Sequence, residues 1–261
     1  MKLFKVYVLL FCIGLSPIQL VAEELVFQDN NGDGTIRFLA FGDSITFGVG
    51  DGVSAGAFVE EVSGGHGGGY PKRVSDMTDI KVTNAGFAGE IFTEEGYRRL
   101  PGLLSNAKAD FLVFLEGAND ATFQVGSSAY RLALQKVINV AFASNVGVVL
   151  VTLPPPCCNH AGLDFFTGAY NQVMRSLANI NDVFLADVEK NWLFVCSDPK
   201  QCGLLNLPEG LHPNAKGYDL IAQTVLATLY GIDLLEVGGS AKLEATLGLE
   251  PGSLIIQVAA E

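Results

Sequence analysis

Positive charge is scarce in this chain, and long apolar runs are missing beyond its first residues. Its 16 lysines and arginines stand against 28 aspartates and glutamates, which gives a formal charge of −12. Phosphate backbones and anionic bilayers repel such a chain, so nucleic acid and peripheral membrane partners are disfavoured. No run of about 18 apolar residues follows residue 22, so we expect no stable membrane insertion after that point. The apolar fraction of 49% is ample for one packed domain.

Residues 1–22 have the layout of a secretory signal peptide. Lys2 and Lys5 precede an apolar segment, and the stretch ends at Ala22 before two glutamates. An uncleaved membrane anchor is the alternative interpretation. We therefore expect a secreted or periplasmic protein with its main domain at 23–231 and an extension of unknown role at 232–261.

Cysteines are few, and four of the five lie beyond the predicted signal peptide. In an oxidising compartment an even number favours disulfide bonds. A four-cysteine zinc site is the competing interpretation, but two adjacent cysteines far from the other two do not match the usual CxxC spacing. Four cysteines allow three pairings, and the sequence does not choose between them: Cys157, Cys158, Cys196 and Cys202.

Strand-like apolar runs alternate with helical patterns along the chain. The runs predict five strands, at 36–41, 80–83, 111–115, 146–151 and 183–188. Helical patterns start at 70 and cover 91–107, 130–142, 165–178 and 218–229, with Pro101-Gly102 as a break in the second. Continuous apolar strands alternating with helices predict a three-layer α/β/α architecture with a parallel sheet. The tail shows no clear period.

The stretch Ile36–Gly48 begins with a run typical of a buried strand. A glycine, an acid and a hydroxyl residue follow that run in succession, at Gly42, Asp43 and Ser44. In open α/β sheets, ligands bind outside the carboxyl ends of the strands, so Ser44 is placed to meet a substrate. Gly42-Asp43-Ser44-Ile45 resembles the first block of the GDSL-type esterases, the SGNH hydrolase family, which is named for Ser, Gly, Asn and His in four separated blocks.

Three further stretches resemble the remaining blocks of that family, in the family's order. Asn84-Ala85-Gly86 follows the second strand, Gly117-Ala118-Asn119-Asp120 follows the third, and Glu209-Gly210-Leu211-His212-Pro213 precedes the last helix. Each alone has an ordinary reading as a turn or a helix cap. Four blocks together, spanning most of the chain, predict the flavodoxin-like SGNH hydrolase fold.

The resemblance implies a Ser-His-acid triad of Ser44, His212 and Glu209, with an oxyanion hole formed by Ser44, Gly86 and Asn119. The family usually has aspartate where this chain has Glu209, whose extra methylene requires the loop to sit about a bond length further back. Hydrolysis through an acyl-enzyme needs no metal and no organic cofactor. The expected substrates are small acyl or acetyl esters, including glycan esters.

Other interpretations remain open. A lysophospholipase or thioesterase on the same fold would take longer acyl chains, and a non-catalytic binding module would have lost turnover. Gly52-Val53-Ser54-Ala55-Gly56 satisfies the G-x-S-x-G elbow, and His66-Gly67-Gly68-Gly69 resembles an HGGG loop, but neither has the strand context or chain order that those motifs require.

Two smaller features complete the predictions. Asp29–Gly34 matches the opening of a calcium loop, but position twelve is Ala40 instead of a glutamate, which favours a solvated turn. Three phenylalanines are candidates for an acyl groove, although core packing is the more common fate of such residues: Phe123, Phe165 and Phe166.

Overall fold

The computed structural model describes residues 28–52 and 68–258. Within these residues five parallel strands form one sheet in the order β2-β1-β3-β4-β5. Their bounds are β1 Arg37–Gly42, β2 Lys81–Gly86, β3 Phe111–Leu115, β4 Gly147–Val151 and β5 Phe184–Ala186. The predicted parallel sheet is confirmed, and its interior strands are the continuous apolar runs of the sequence.

The helices of the described residues lie between and around these strands. They are α1 Ser44–Phe47, α2 Gly69–Thr78, α3 Tyr97–Ala107, α4 Ala118–Thr122, α5 Ser127–Ala143, α6 Asp164–Asn181, α7 Val188–Val195, α8 Ala215–Leu229 and α9 Gly239–Leu247. A π-helical turn, Phe92–Gly96, leads into α3, and a 3-10 turn, Cys158–Leu163, leads into α6. None of the described helices is long and apolar enough to cross a membrane.

The order of the strands places a crevice between β1 and β3. From β1 the chain first adds β2 on one side and then adds β3, β4 and β5 on the other. In doubly wound sheets of this order, ligands bind at the carboxyl ends of the strands where the order reverses. Gly42 pairs with Gly86 on one side and with Leu115 on the other, so the segments that follow these three residues meet at one edge.

Helices cover the sheet on both faces. The pair α2 and α8 packs together on one side, and α5 packs against both α3 and α6 on the other. β1 is shielded almost completely, because Phe38 through Phe41 have no exposed surface. Aromatic rings fill the layer beside β3, where Phe92 meets Phe114 edge to face and Tyr130 stacks on Tyr170. These contacts place the core directly beneath the carboxyl edge of the sheet.

Several predicted boundaries are wrong. The second strand continues to Gly86 instead of ending at residue 83, so Asn84-Ala85-Gly86 lies within β2 and does not follow it. The last strand ends at Ala186 instead of continuing to Val188, because Asp187 caps a new helix, α7, by accepting the N–H of Lys190 at 3.1 Å. The break expected at Pro101-Gly102 is absent, since α3 runs through Pro101. The irregularity lies earlier, in the π-helical turn, whose first N–H groups are held by a buried carboxylate from α4.

The tail is packed against the domain as far as residue 258. Leu243, Leu254 and Ile256 are buried. The Gln223 side chain on α8 accepts the N–H of Ile255 at 2.9 Å, and the Glu244 carboxylate accepts the N–H of Leu254 at 3.1 Å. Residues 232–258 therefore extend the core formed with α8, although their sequence has no clear period.

Candidate active site

The nucleophile candidate stands on a tight turn between β1 and α1. A side chain at Gly42 would collide with the Leu115 carbonyl oxygen at 1.9 Å, so only glycine allows this close packing of strands. Ser44 begins α1 and is buried, with 7% of its surface exposed. The first N–H groups of a helix have no partner within the helix, so the Ser44 N–H is open to a ligand at this edge.

Asp43 joins this turn to the segment after β3. Its carboxylate accepts the N–H of Ile45 at 2.9 Å and the N–H of Ala118 at 3.2 Å. Burial raises the pKa of Asp43 to about 6, while these backbone donors and the nearby His212 act in the opposite direction. The Asp43 carboxyl group thus fixes the turn that carries Ser44 relative to the segment Gly117-Ala118-Asn119.

His212 lies between Ser44 and Glu209. Its Nε2 is 2.8 Å from Ser44 Oγ, and its Nδ1 is 2.9 Å from Glu209 Oε1. A carboxylate only accepts hydrogen bonds, so Nδ1 carries the proton and Nε2 is free to accept from the serine hydroxyl. This is the proton relay that a serine nucleophile requires.

The Glu209 carboxylate is held from two sides. Oε2 accepts the backbone N–H groups of Leu211 and His212, each at 2.9 Å, while Oε1 faces the imidazole. Burial acts to raise the pKa of Glu209, but the two N–H donors and His212 outweigh it and lower the pKa below its usual value of 4.5. The Glu209 side chain is thus long enough to bring its carboxylate within hydrogen-bond distance of His212 Nδ1.

The loop around His212 is tied to the nucleophile side by side-chain hydrogen bonds. Asn206 Nδ2 donates to the Pro213 carbonyl at 2.9 Å and to the Gly50 carbonyl at 3.1 Å. Tyr218 Oη donates to the Val49 carbonyl at 2.7 Å. These contacts set the imidazole over Ser44, which lies 168 residues away in the chain.

The side-chain amide of Asn119 has an unpaired donor. Among the described residues its buried Nδ2 has no hydrogen-bond partner, which is costly for an amide unless a ligand uses it. The neighbouring Asp120 carboxylate accepts the N–H groups of Phe92 and Thr93 at 2.8 and 3.0 Å and holds the start of α4 in place. Asn119 Nδ2 is thus an unpaired donor at the start of α4, close after the end of β3.

The backbone N–H of Gly86, which the resemblance assigns to the oxyanion hole, is already bonded within the protein. Its N–H donates to Asn84 Oδ1 at 2.9 Å, so it is not open to a ligand in this structure. A side chain at this position would meet the Phe47 backbone nitrogen at 2.2 Å, which explains the glycine by close packing of β2 against α1. Gly89, three residues on, has a left-handed φ of 86°, and its N–H has no partner among the described residues.

An arginine braces the strand ends beneath these donors. Arg99 donates to the Ala85 carbonyl at 2.7 Å and to the Gly42 carbonyl at 3.1 Å, and its guanidinium pairs with Glu90. The adjacent Glu116 is fully buried, and burial beside the Glu90 charge raises its pKa well above the ordinary value. The carboxyl ends of β1 and β2 are therefore joined through one cation as well as through the sheet.

The cysteines divide into two pairs. Cys196 and Cys202 form a disulfide, whereas Cys157 and Cys158 are not in a disulfide. Of the three possible pairings, the structure agrees with the one that joins Cys196 to Cys202, and it leaves Cys157 and Cys158 unbridged. The four cysteines do not form a zinc site. Within the described residues no group of three or more His, Cys, Asp or Glu side chains is arranged to hold a metal ion.

The calcium-like segment is a closed turn. Asp29 accepts the N–H groups of Gly32 and Gly34, each at 2.7 Å. Asp33 pairs with Arg37 at 2.6 Å. The carboxylate oxygens close the turn that leads into β1, as the solvated-turn interpretation predicts.

The candidate phenylalanines do not share one environment. Phe123 is 66% exposed and Phe165 is 78% exposed, so the expectation of core packing is wrong for both. Phe166 is partly buried and packs against the core, with its ring edge to face on Phe165. The G-x-S-x-G and HGGG segments, including Ser54 and His66, lie mostly in 53–67, outside the described residues.

Sequence reasoning missed two residues of this site. Asp43 was read only as part of a motif, although its carboxyl links two blocks. His160 was not singled out, yet its Nδ1 lies 2.7 Å from the Glu209 carbonyl oxygen. No local pattern marks His160, because its contact with the acid spans 49 residues.

The site joins a serine to a histidine and the histidine to an acid by hydrogen bonds, at the carboxyl edge of a parallel sheet. This arrangement is typical of serine hydrolases. The sequence pattern of the GDSL-like lipase/acylhydrolase family matches residues 40–220. The chain belongs to this family and is an ester-hydrolysing serine hydrolase.

Solved structures share the fold. LAE5, an alpha/beta hydrolase enzyme from the metagenome of Lake Arreo in Spain, is 21% identical with a TM-score of 0.64, covering 79% of this chain and 98% of its own. A variant of an acetyl xylan esterase from Geobacillus stearothermophilus is 21% identical with a TM-score of 0.62, covering 74% of this chain and 94% of its own. A search of curated proteins gave no match.

Proposed function

We propose that Ser44, His212 and Glu209 form the catalytic triad of a secreted esterase that acts on small acyl or acetyl esters. The observation that carries the proposal is the unbroken chain of contacts, 2.8 Å from Ser44 Oγ to His212 Nε2 and 2.9 Å from Nδ1 to Glu209 Oε1. His212 removes the serine proton, and Ser44 Oγ attacks the ester carbonyl. The alcohol leaves with the proton from His212, and water releases the acid by the same route.

The developing oxyanion is stabilised by the open donors at the same edge. Asn119 Nδ2 and the Ser44 N–H supply two of them. Because the Gly86 N–H is bonded to Asn84 Oδ1, its proposed part as a third donor requires that contact to open, whereas the Gly89 N–H is free among the described residues. Each donor contributes about 2.7 to 4 kcal/mol to lowering the barrier.

The substrate class is inferred from charge and from relatives. A chain with a formal charge of −12 disfavours anionic substrates, so neutral esters are expected. The Geobacillus structure belongs to an acetyl xylan esterase, which supports glycan acetyl esters as a starting point. Secretion is supported by the signal-like 1–22 and by the Cys196–Cys202 disulfide, since such bonds persist in oxidising compartments.

Longer acyl chains are the second candidate, and exposed aromatic rings favour it. Phe87 follows β2 and is 61% exposed, and Phe123 follows α4 and is 66% exposed. Both side chains belong to segments that leave the edge where Ser44 lies. A series of p-nitrophenyl esters separates the two candidates: kcat/KM that falls from acetate to longer esters supports the first, and a rise supports the second.

Fluorophosphonate labelling tests the nucleophile and separates an enzyme from a binding module. We expect one label on Ser44 in the wild type and none in Ser44→Ala, while Ser54→Ala labels like the wild type. Tandem mass spectrometry places the label, because trypsin leaves both serines on one peptide between Arg37 and Lys72. A label on Ser54, or no label on a folded protein, would contradict the proposal.

A further inference from the structure

The turn formed by Cys157–His160 grips the loop that carries the proposed catalytic acid. Cys157 N–H donates to the Gly210 carbonyl at 2.8 Å, and Asn159 N–H donates to the Pro208 carbonyl at 3.3 Å. Between them, His160 Nδ1 donates to the Glu209 carbonyl at 2.7 Å. Three successive residues, 208–210, are thus bound by this single turn, which we name the cysteine turn.

The contact between the cysteine turn and the acid loop leaves no free space. Gly210 has a left-handed φ of 80°, and a side chain there would lie 2.3 Å from the Cys157 carbonyl oxygen. His160 Nδ1 is also 3.4 Å from Glu209 Oε1, the oxygen that faces His212. A displacement of the cysteine turn would therefore move the Glu209 carboxylate relative to the imidazole.

The two thiols of the cysteine turn face each other. Cys157 Sγ and Cys158 Sγ are 2.6 Å apart, closer than two unbonded sulfur atoms pack. The remaining described cysteines are already joined as Cys196–Cys202, so neither thiol has another described partner. Cys157 is buried, and burial raises the pKa of its thiol to about 12, whereas Cys158 is partly exposed. Cys158 is therefore the thiol that reacts first with a reagent from solution.

We propose that Cys157 and Cys158 form a reversible disulfide with each other, and that this bond fixes the cysteine turn and so positions Glu209. A small-molecule disulfide such as glutathione disulfide is the oxidant. The Cys158 thiolate attacks one sulfur of the oxidant and releases one glutathione thiol, and Cys157 then displaces the second. Two protein thiols and one disulfide give one protein disulfide and two glutathione thiols.

Neighbouring residues make this bond easy to reverse. Consecutive Cα atoms are about 3.8 Å apart, below the 4.4 to 6.8 Å usual for disulfides, so a bridge between them is strained. Strained disulfides have more oxidising potentials and are the labile ones. Mild reductant therefore opens this pair before it opens Cys196–Cys202, whose Cα atoms are 5.4 Å apart.

Peptide mapping tests the bond without reference to activity. Trypsin leaves Cys157 and Cys158 on one peptide, Val137–Arg175, and places Cys196 and Cys202 on two others. After equilibration with glutathione disulfide and alkylation with iodoacetamide, we expect that peptide to be unalkylated and lighter than the dithiol by two hydrogens. Alkylation of both cysteines there, or a cross-link to Cys196 or Cys202, would overturn the proposal.

Activity measurements test the positioning effect, which rests on the proposed function. A misplacement of about 1 Å costs roughly 100-fold in rate. We expect a loosened turn to displace Glu209 by less than this, and therefore to lower kcat by about 3- to 10-fold with KM nearly unchanged. Mild dithiothreitol should produce this drop in Cys196→Ala/Cys202→Ala and not in Cys157→Ala/Cys158→Ala. A reductant effect that follows the Cys196 and Cys202 pair instead would overturn the positioning role.

The two readouts also separate failure of the inference from failure of the proposed function. If fluorophosphonate labels a serine other than Ser44, the triad is wrong, but the peptide map still decides whether the bond forms. If Cys157→Ala/Cys158→Ala does not fold, a titration of the wild-type protein with reductant tests the positioning effect by itself. In that titration, kcat should fall in step with alkylation of the Val137–Arg175 peptide, and a constant kcat would refute the positioning effect.

Discussion

The proposed nucleophile and the proposed base of this site rest on different kinds of structure. Ser44 follows a buried strand, and its turn is fixed by Asp43 and by Arg99, which binds the Gly42 carbonyl. Glu209 and His212 lie on a loop outside the sheet, which side chains and the cysteine turn hold in place. The sheet gives one half of the site a rigid base, and the other half depends on contacts that single substitutions remove.

His212→Ala gives the largest expected effect on either half. Without the imidazole no group accepts the Ser44 proton, so kcat for p-nitrophenyl acetate should fall by about 10⁴-fold or more. The melting temperature should change little, because the ring is partly exposed. A folded variant with near wild-type turnover would place the base elsewhere.

Substitutions of Glu209 test whether the loop that carries it is fitted to a glutamate. Glu209→Gln removes the charge that stabilises the imidazolium and should lower kcat by about 10⁴-fold. Glu209→Asp keeps the charge but shortens the reach, and a misplacement of about 1 Å predicts a loss of roughly 100-fold. If aspartate, the residue usual in the family, works as well as glutamate, the loop is more adaptable than its hydrogen bonds indicate.

Asn119→Ala tests the rigid half. Removal of the unpaired Nδ2 donor should lower kcat by about 10²- to 10³-fold with little change in KM, because the contact forms in the transition state. The matched control is Asn84→Ala, which frees the Gly86 N–H. A kcat that rises in this control would identify Gly86 as a working donor, and an unchanged kcat would favour Gly89.

Acid denaturation gives a smaller effect that again distinguishes the loop. The pKa of Glu209 is lowered from 4.5 in the folded state, so its ionised form is favoured by folding. This contribution to stability is complete above about pH 4.5 and is lost as the pH falls through the lowered folded value. Urea titrations at several pH values should therefore show a shallower loss of stability in Glu209→Gln than in the wild type.

The packed tail should affect stability and leave catalysis unchanged. Leu243 on α9 is fully buried, so Leu243→Ala should cost about 2 to 5 kcal/mol of unfolding free energy. The exposed Glu250→Ala is the control and should cost little. A change in kcat at a temperature where both variants are folded would show that the tail acts on the site.

Much of the fold was predictable because the interior strands β1, β3 and β4 are nearly continuous apolar runs. Phe111–Leu115 was predicted with its observed bounds, and the core face of α8 followed from its spacing. The tail was not predictable in this way. Its buried residues lie partly on α9, at Leu243, and partly in the irregular segment after it, at Leu254 and Ile256, so they follow no single period.

The sequence by itself determined the chemical groups of the site, because Ser44, Asn119 and the Glu209–His212 stretch each follow a local pattern. Only the tertiary structure decided how these groups are held and which donors are open. Gly86 is closed by Asn84, His160 touches Glu209, and Cys157 faces Cys158 on the turn that binds the acid loop. The physical reason is that hydrogen bonds between distant segments leave no periodic trace in the chain, whereas burial of a strand does.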